Sequence, residues 1–340
     1  MGAGLSPDSA FRTTKQISMT FGAAFKSAPE TPLQESFLLA GAACEISTNS
    51  GALLDWARES FPLIENEPPQ PDLHLRLWVD PAAQSRPGSE MPYLRGLDHL
   101  VFAGFDAQNA LLIDLRGRRA IGRFSPQTAA DRLYWQRMIF PLLLGVIGGS
   151  VGVTALHCGC VARNGHGLIL AGDSGAGKST LTLALAQRGF AFLADEWTYF
   201  SRRDGQLLAW SLSNPLKLLP DAAAFFPELA ALEPAVAMNG ELAFEVDPTQ
   251  VFGVRRAPRC EPRWLVLLER EVGAGFKLSE IPREEAAARF EEGLLAEDPA
   301  AMNSQRETIR SLLGVQCALL RYGGNPQTIA GALEHFCESA

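Results

Sequence analysis

Residues Gly172 to Ser179 read G-D-S-G-A-G-K-S and meet the pattern G-x-x-x-x-G-K-[ST] at every fixed position. The backbone N–H groups of Gly172, Asp173, Ser174, Gly175, Ala176 and Gly177 can turn inward around a phosphate chain. The glycines allow the close approach and positive φ that this requires. Lys178 then reaches toward the β- and γ-phosphates, the Ser179 hydroxyl is placed to hold Mg²⁺, and Thr180 continues the first helical turn. The chemistry this spacing supports is binding of a nucleotide triphosphate with Mg²⁺, and ATP is the default nucleotide. Asp195-Glu196 follows 17 positions after Lys178. A carboxylate at that place can hold Mg²⁺ or accept a proton from a hydroxyl.

Such a loop works only when a strand and a helix position it. Gly167-Leu-Ile-Leu-Ala171 is a short apolar run suited to a buried parallel strand. Lys178 to Arg188 carries Leu181, Leu183, Ala184 and Leu185 in a helix-forming segment that Gly189 closes. The helix dipole then faces the phosphates. Ala191 to Ala194 predicts a strand beside the loop-bearing one, with the acidic pair at its end. Thr154 to Val161 predicts a strand paired with Gly167–Ala171 through a turn at Arg163-Asn-Gly-His166.

Composition sets the bounds. The chain has 340 residues, 47% apolar and 20% charged, so it is globular with ample core. A net charge of −8 argues against a general nucleic-acid or membrane-surface partner. Six scattered cysteines form no disulfide framework and read as reduced thiols of a cytoplasmic protein. No apolar leader follows Met1. Met138 to Leu156 lacks charge over 19 residues, but Pro141 and four glycines favour a buried helix, loop and strand over a membrane span.

The expected organisation is an α+β N-terminal domain over 1–130, a connecting helix within 131–151 and an α/β nucleotide-binding domain over 152–340. Met1 to Pro32 reads as a loose arm, Ser36 to Ser47 as one strand, and Leu53 to Phe61 as a helix ended by Pro62. Glu65 to Pro71 and Pro81 to Pro92 are connections. Leu73–Val79, Leu97–Phe105, Ala110–Asp114 and Arg119–Phe124 are strands, and Asp131–Leu144 is a helix. Later come strands at Leu207–Leu212, Leu242–Val246 and Trp264–Leu268. One or two helices are expected over Asp221–Leu232, with others over Arg283–Leu295, Asn303–Leu313 and Gln327–Cys337. Lys217 is a candidate phosphate contact or a solvated lysine. The basic cluster Val254-Arg-Arg-Ala-Pro-Arg259 is either an arginine source for a transferred phosphoryl group or a surface charge run, and Arg263 is expected to face the same region. His74, His99 and His166 read as structural or solvent-exposed.

The wording L-H-C-G-C-V…G-L-I-L-A-G-D-S-G-A-G-K-S-T-L…R-G-F-A-F-L-A-D-E covers about forty residues. With His157 fifteen positions ahead of Gly172, it resembles the kinase domain of the HPr kinase/phosphorylase family. The resemblance implies a P-loop kinase core of that family's C-terminal type and ATP-dependent phosphorylation of a hydroxyl. The acceptor would be a serine of a protein or peptide, or a metabolite, and which of these is not legible. The resemblance also implies Asp195 as the catalytic base, Glu196 as the metal contact with the reverse division open, and His157 near the γ-phosphate with Lys178. The acidic pair here is Asp-Glu where the family has Asp-Asp. The family's later R-G-[LI]-G-I signature is missing, and the first 130 residues do not read as its N-terminal domain. The resemblance therefore does not extend to phosphorolysis or hexameric assembly, and it leaves homo-oligomerisation open. A P-loop ATPase or a nucleotide-dependent switch is the competing class.

Overall fold

The computed structural model describes residues 29–339 except 66–69, 89–91, 213–214, 238–239, 272, 274 and 292–298. Most of the arm expected over Met1–Pro32, and parts of the expected connections and of the helix expected over Arg283–Leu295, lie outside the described residues. Among the described residues the fold is mixed α/β with three sheets.

Seven strands form the first sheet: β1 (Leu33–Leu39), β2 (Ala42–Thr48), β3 (Leu73–Val79), β4 (Tyr93–Leu97), β5 (Leu100–Gly104), β6 (Ala110–Asp114) and β7 (Arg119–Phe124). Their order is β1-β2-β3-β7-β6-β5-β4. The single strand expected over Ser36–Ser47 is instead a hairpin. Ala40 and Gly41 both take positive φ, 47° and 88°, and make a two-residue turn inside an unbroken apolar run that carries no Asn-Gly signal. The centre of the sheet is parallel: helix α1 (Gly51–Ser60), which buries Leu53, Leu54 and Ala57, makes the crossover from β2 to β3, and the β4–β6 strands connect β3 to β7.

The helix expected over Asp131–Leu144 is interrupted. A π-helical turn spans Trp135–Ile139 and leads into α2 (Phe140–Ile147). Pro141 has no N–H to give to residue 137 and its ring crowds that carbonyl, so the turn ahead of it widens. No helix among the described residues is long and apolar enough to cross a membrane.

The larger sheet begins with β8 (Val153–Leu156), β9 (Cys158–Arg163) and β10 (His166–Ala171). Helix α3 (Lys178–Gln187) follows, then β11 (Ala191–Ala194), β12 (Thr198–Arg203) and β13 (Gln206–Trp210). A small separate sheet holds β14 (Leu216–Leu218), β15 (Ala235–Val236) and β16 (Leu242–Val246) in the order β14-β16-β15. Strands β17 (Arg259–Arg270), β18 (Phe276–Glu280) and β19 (Gln316–Tyr322), with helices α4 (Arg283–Glu291), α5 (Pro299–Leu312) and α6 (Pro326–Glu338), complete the chain. Two 3₁₀ turns at Pro220–Ala224 and Pro227–Ala231 stand where one or two helices were expected.

Two expectations need correction here. Thr154–Val161 is not one strand: it breaks at His157, and β8 pairs with β12 while β9 runs between β10 and β11. Strand β11 therefore does not lie beside β10. Because β9 is antiparallel to both, β10 and β11 are parallel to each other and end at the same edge.

Side-chain alternation on β10 divides the core. Leu168 and Leu170 face Leu181, Leu185, Ile329 and Leu333 of α3 and α6, while Ile169 joins Leu265, Ile309 and Leu312 under α5. A third core joins the first sheet to Val153, Tyr199, Trp210 and Leu212 of the larger region. Burial of each such side chain stabilises the fold by about 1.5–3 kcal/mol.

Candidate functional site at one edge of the large sheet

Strand register decides which residues meet. Ala171 on β10 is opposite Cys158 on β9, and Ala194 on β11 is opposite Cys160. The residues just beyond, Gly172, His157 and Asp195, thus emerge at one sheet edge. The loop between β10 and α3 exposes Asp173, Ser174 and Gly175 and tucks Ala176 inward. The hydroxyl of Tyr322, at the end of β19, donates to the Ala176 carbonyl at 2.6 Å. Gly177 has φ 87°, and a Cβ there would collide with that hydroxyl, so both backbone and space require glycine. Helix α3 then starts without a side-chain cap. Ser179 and Thr180 are half-buried in its first turn, where unpaired backbone N–H groups gather.

Lys178 is buried, and its Nζ donates to the carbonyls of Gly172 and Asp173 at 2.8 and 3.0 Å. Desolvation lowers its pKa, opposed in part by the carboxylates of Asp173, Glu196 and Asp195. Asp195 is 6% exposed. Burial pushes its carboxyl up to about 6, against a hydrogen bond from the Lys217 backbone N–H at 3.0 Å, with Glu196 raising it further and Arg137 and the Ser179 hydroxyl lowering it. Glu196 is exposed. His157 opens to solvent on one side, yet its surroundings desolvate it and hold its pKa low; the Lys178 charge adds to this and Glu196 opposes it. Its ring lies 5.5 Å from that of Trp197. The lowered pKa favours the neutral imidazole of His157, which can donate or accept a hydrogen bond.

The sequence-derived candidates thus gather, with exceptions. The Lys217 side chain goes to Glu241 at 2.7 Å, and it is the backbone of Lys217 that touches the site. In the basic cluster, Arg255 donates to the Gly189 carbonyl at the far end of α3, and Arg259 stacks on Trp210. Within the cluster it is Arg256 that is electrostatically linked to Asp195; it lies half-buried over Phe192, with its pKa lowered by desolvation. Arg263 does not face the region. It sits near the start of β17, next to the pair Leu168–Trp264, and stacks on Trp264. His74 and His99 lie beside Glu45 and Asp98 on the first sheet. His166 is half-buried, where a turn residue was expected to be exposed.

Sequence reasoning missed Tyr322, Arg137 and Trp197. Only Trp197, two positions after Asp195, had a local signal. The other two arrive from β19 and from the π-helical turn, and no spacing announces them.

The chemistry of this edge suits a phosphate chain and a hard dication. An uncapped helix N-terminus and a lysine cradle an anion, while the Ser179 hydroxyl with Asp195 and Glu196 offers oxygen donors. Among the described residues, no three or more His, Cys, Asp or Glu side chains gather as a self-contained metal site.

No known family's profile matches the chain, and no curated protein does. Among solved structures, the Hpr(Ser) kinase/phosphatase from Coxiella burnetii is similar at 13% identity, covering 55% of this chain and 97% of that one with a TM-score of 0.30. At that score the likeness carries no argument, and the functional reading stands on the residues themselves.

Proposed function

We propose that this protein is a P-loop kinase that transfers the γ-phosphoryl group of ATP to a hydroxyl, on a serine of a protein or peptide or on a small molecule. The supporting observation is a buried carboxylate, Asp195, with a pKa raised to about 6 and a hydrogen bond from the Lys217 N–H, at the same edge as the glycine loop. A general base works best when its pKa lies near the operating pH.

When bound, ATP supplies the phosphoryl group, and Mg²⁺ held by Ser179 with Asp195 or Glu196 neutralises its charge. The backbone of Gly172–Ser179 orients the phosphates, and Lys178 moves from the Gly172 and Asp173 carbonyls to the terminal ones. Asp195 takes the proton from the acceptor hydroxyl. The Lys217 N–H holds one carboxylate oxygen, Oδ2, in place, leaving Oδ1 for that proton. His157, being neutral, donates a hydrogen bond without adding a charge that would raise Lys178's cost of burial.

Residues 1–130 are read as an N-terminal domain that recruits the acceptor. A cavity of about 250 Å³ between the β1–β2 hairpin, the end of α1 and residues 256–258 supports this, since Arg256 lines it and is linked to Asp195.

The test is incubation of purified protein with γ-labelled ATP and Mg²⁺, with and without a host extract, following label by mass. Label on one acceptor, absent with Lys178→Ala, supports the kinase. Free phosphate alone, at a rate the extract does not change, would instead favour the ATPase or switch class.

A further inference from the structure

Arg137 comes from the π-helical turn that precedes the large sheet, far in sequence from the loop and from Asp195. Widened turns of this kind often occur where a side chain must be re-aimed. Its side chain is nine-tenths buried. Nη1 pairs with Glu245 at 2.7 Å, and Nη2 donates to the Pro215 carbonyl at 3.5 Å. Nε is buried without a hydrogen-bond partner.

The two anchored contacts have a common geometry. Glu245 on β16 is the register partner of Lys217 on β14, and Pro215 lies two residues before Lys217. One guanidinium therefore ties Glu245, on the rung that presents the Lys217 N–H to Asp195 Oδ2, to the residue just ahead of β14. The small sheet is short: β14 has three residues, and few ladder bonds hold it. Without a tie from outside, that rung would shift with the fluctuations of a short strand pair.

We infer that Arg137 is a positioning residue for Asp195, clamping the Lys217–Glu245 rung so that the Lys217 amide stays against the carboxylate. Arginine suits the task because its planar fork makes two directed bonds at once, which a lysine ammonium on a flexible stem does not reproduce. Arg137 thereby connects the segment that leads out of the first sheet to the carboxylate at the edge of the second. The kinetic consequence rests on the kinase reading, whereas the structural one does not.

Two readouts separate these. Amide-resolved hydrogen exchange on the full chain, without nucleotide, reports the Lys217 N–H directly. Arg137→Gln is expected to speed its exchange by about tenfold or more while core amides of β10 are unchanged. Arg137→Lys should do the same, and Glu245→Gln cuts the tie from the other side if Arg137 variants fold poorly. Unchanged Lys217 exchange in Arg137→Gln and Glu245→Gln would overturn the inference, whatever the protein's activity.

In steady-state assays, Arg137→Gln, Arg137→Lys and Glu245→Gln should each lower turnover of ATP by about 10–100-fold. Affinity for a fluorescent ATP analogue should stay within about threefold, because the glycine loop is untouched. The double variant Arg137→Gln/Glu245→Gln should be no slower than either single one. Wild-type turnover in Arg137→Gln, or effects of the two substitutions that multiply, would also sink the inference. A wild-type protein that binds no nucleotide would instead sink the kinase reading and leave the exchange result to decide on Arg137.

Discussion

The two ends of the large sheet handle charge in opposite ways. At the end where β10 and β11 stop, Lys178 and Asp195 are buried and His157 is desolvated, each shifted in pKa by burial and by the others. At the other end, Arg163 pairs with Glu334 at 2.7 Å, Arg255 holds the Gly189 carbonyl, and Arg259 and Arg263 lie over Trp210 and Trp264. Arginines outnumber the site's cations there, yet each has found a partner near solvent, where such pairs are worth little. Charge that is numerous in sequence is thus satisfied at one end, and charge that is sparse is held under tension at the other. Shifts in pKa follow burial and mutual coupling, not the density of charged letters.

This contrast can be broken by exchanging which end is altered. The largest effect is expected for Lys178→Ala, which should abolish nucleotide-dependent activity, while Arg263→Ala at the opposite end leaves it unchanged; a calorimetric titration with ATP beside a turnover assay checks both. Next, Asp195→Asn should keep nucleotide affinity and lower phosphoryl transfer by about 10²–10⁴-fold. Normal transfer by that variant would mean that Asp195 is not the base.

The same substitution sharpens the contrast in stability. Because the carboxyl of Asp195 is raised from 3.8 to about 6, the folded state holds its proton more tightly than the unfolded chain does. That stabilisation is fully present below about pH 3.8 and is lost as pH rises through about 6, a change of about 3 kcal/mol. In metal-free protein, urea unfolding should therefore show Asp195→Asn to be more stable than wild type at pH 8, with the gap closing near pH 4. Equal stability at both pH values would show that the carboxylate is not strained by burial.

Tyr322→Phe should have a smaller effect, costing about 1–3 kcal/mol because the Ala176 carbonyl loses its partner. Weaker nucleotide binding by a few-fold would accompany it if the hydroxyl fixes the loop. Arg255→Ala should change stability by less than about 0.5 kcal/mol, measurable as an unaltered urea midpoint.

The loop, its helix and the acidic pair were legible because each is local: a glycine spacing, an apolar run and a carboxylate after a short strand. Even the β9–β10 turn followed from Asn164 and Gly165. What failed was lateral order. Nothing in Ala191–Ala194 says that β9 intervenes between it and β10, and nothing in Trp264–Leu268 reveals a twelve-residue strand that carries Arg263 away from the loop. Strand β12, strand β18 and strand β19 were not anticipated, so Tyr322 was not either. The Ala40–Gly41 turn stayed hidden because the apolar pattern runs through it. Arg137 was invisible for a further reason, since its role depends on a pairing between β14 and β16 that only the fold creates.

Tyr199, Trp210 and Leu212 share a core with Phe37, Ile46 and Leu75. A chain cut near residue 152 to free the second part would present those aromatic faces to water, and it would tend to precipitate. The seam also limits inheritance: recombination that joined this glycine-loop half to a different first half would have to supply a matching apolar surface at once. The two halves are for that reason expected to travel together through descent as one genetic unit.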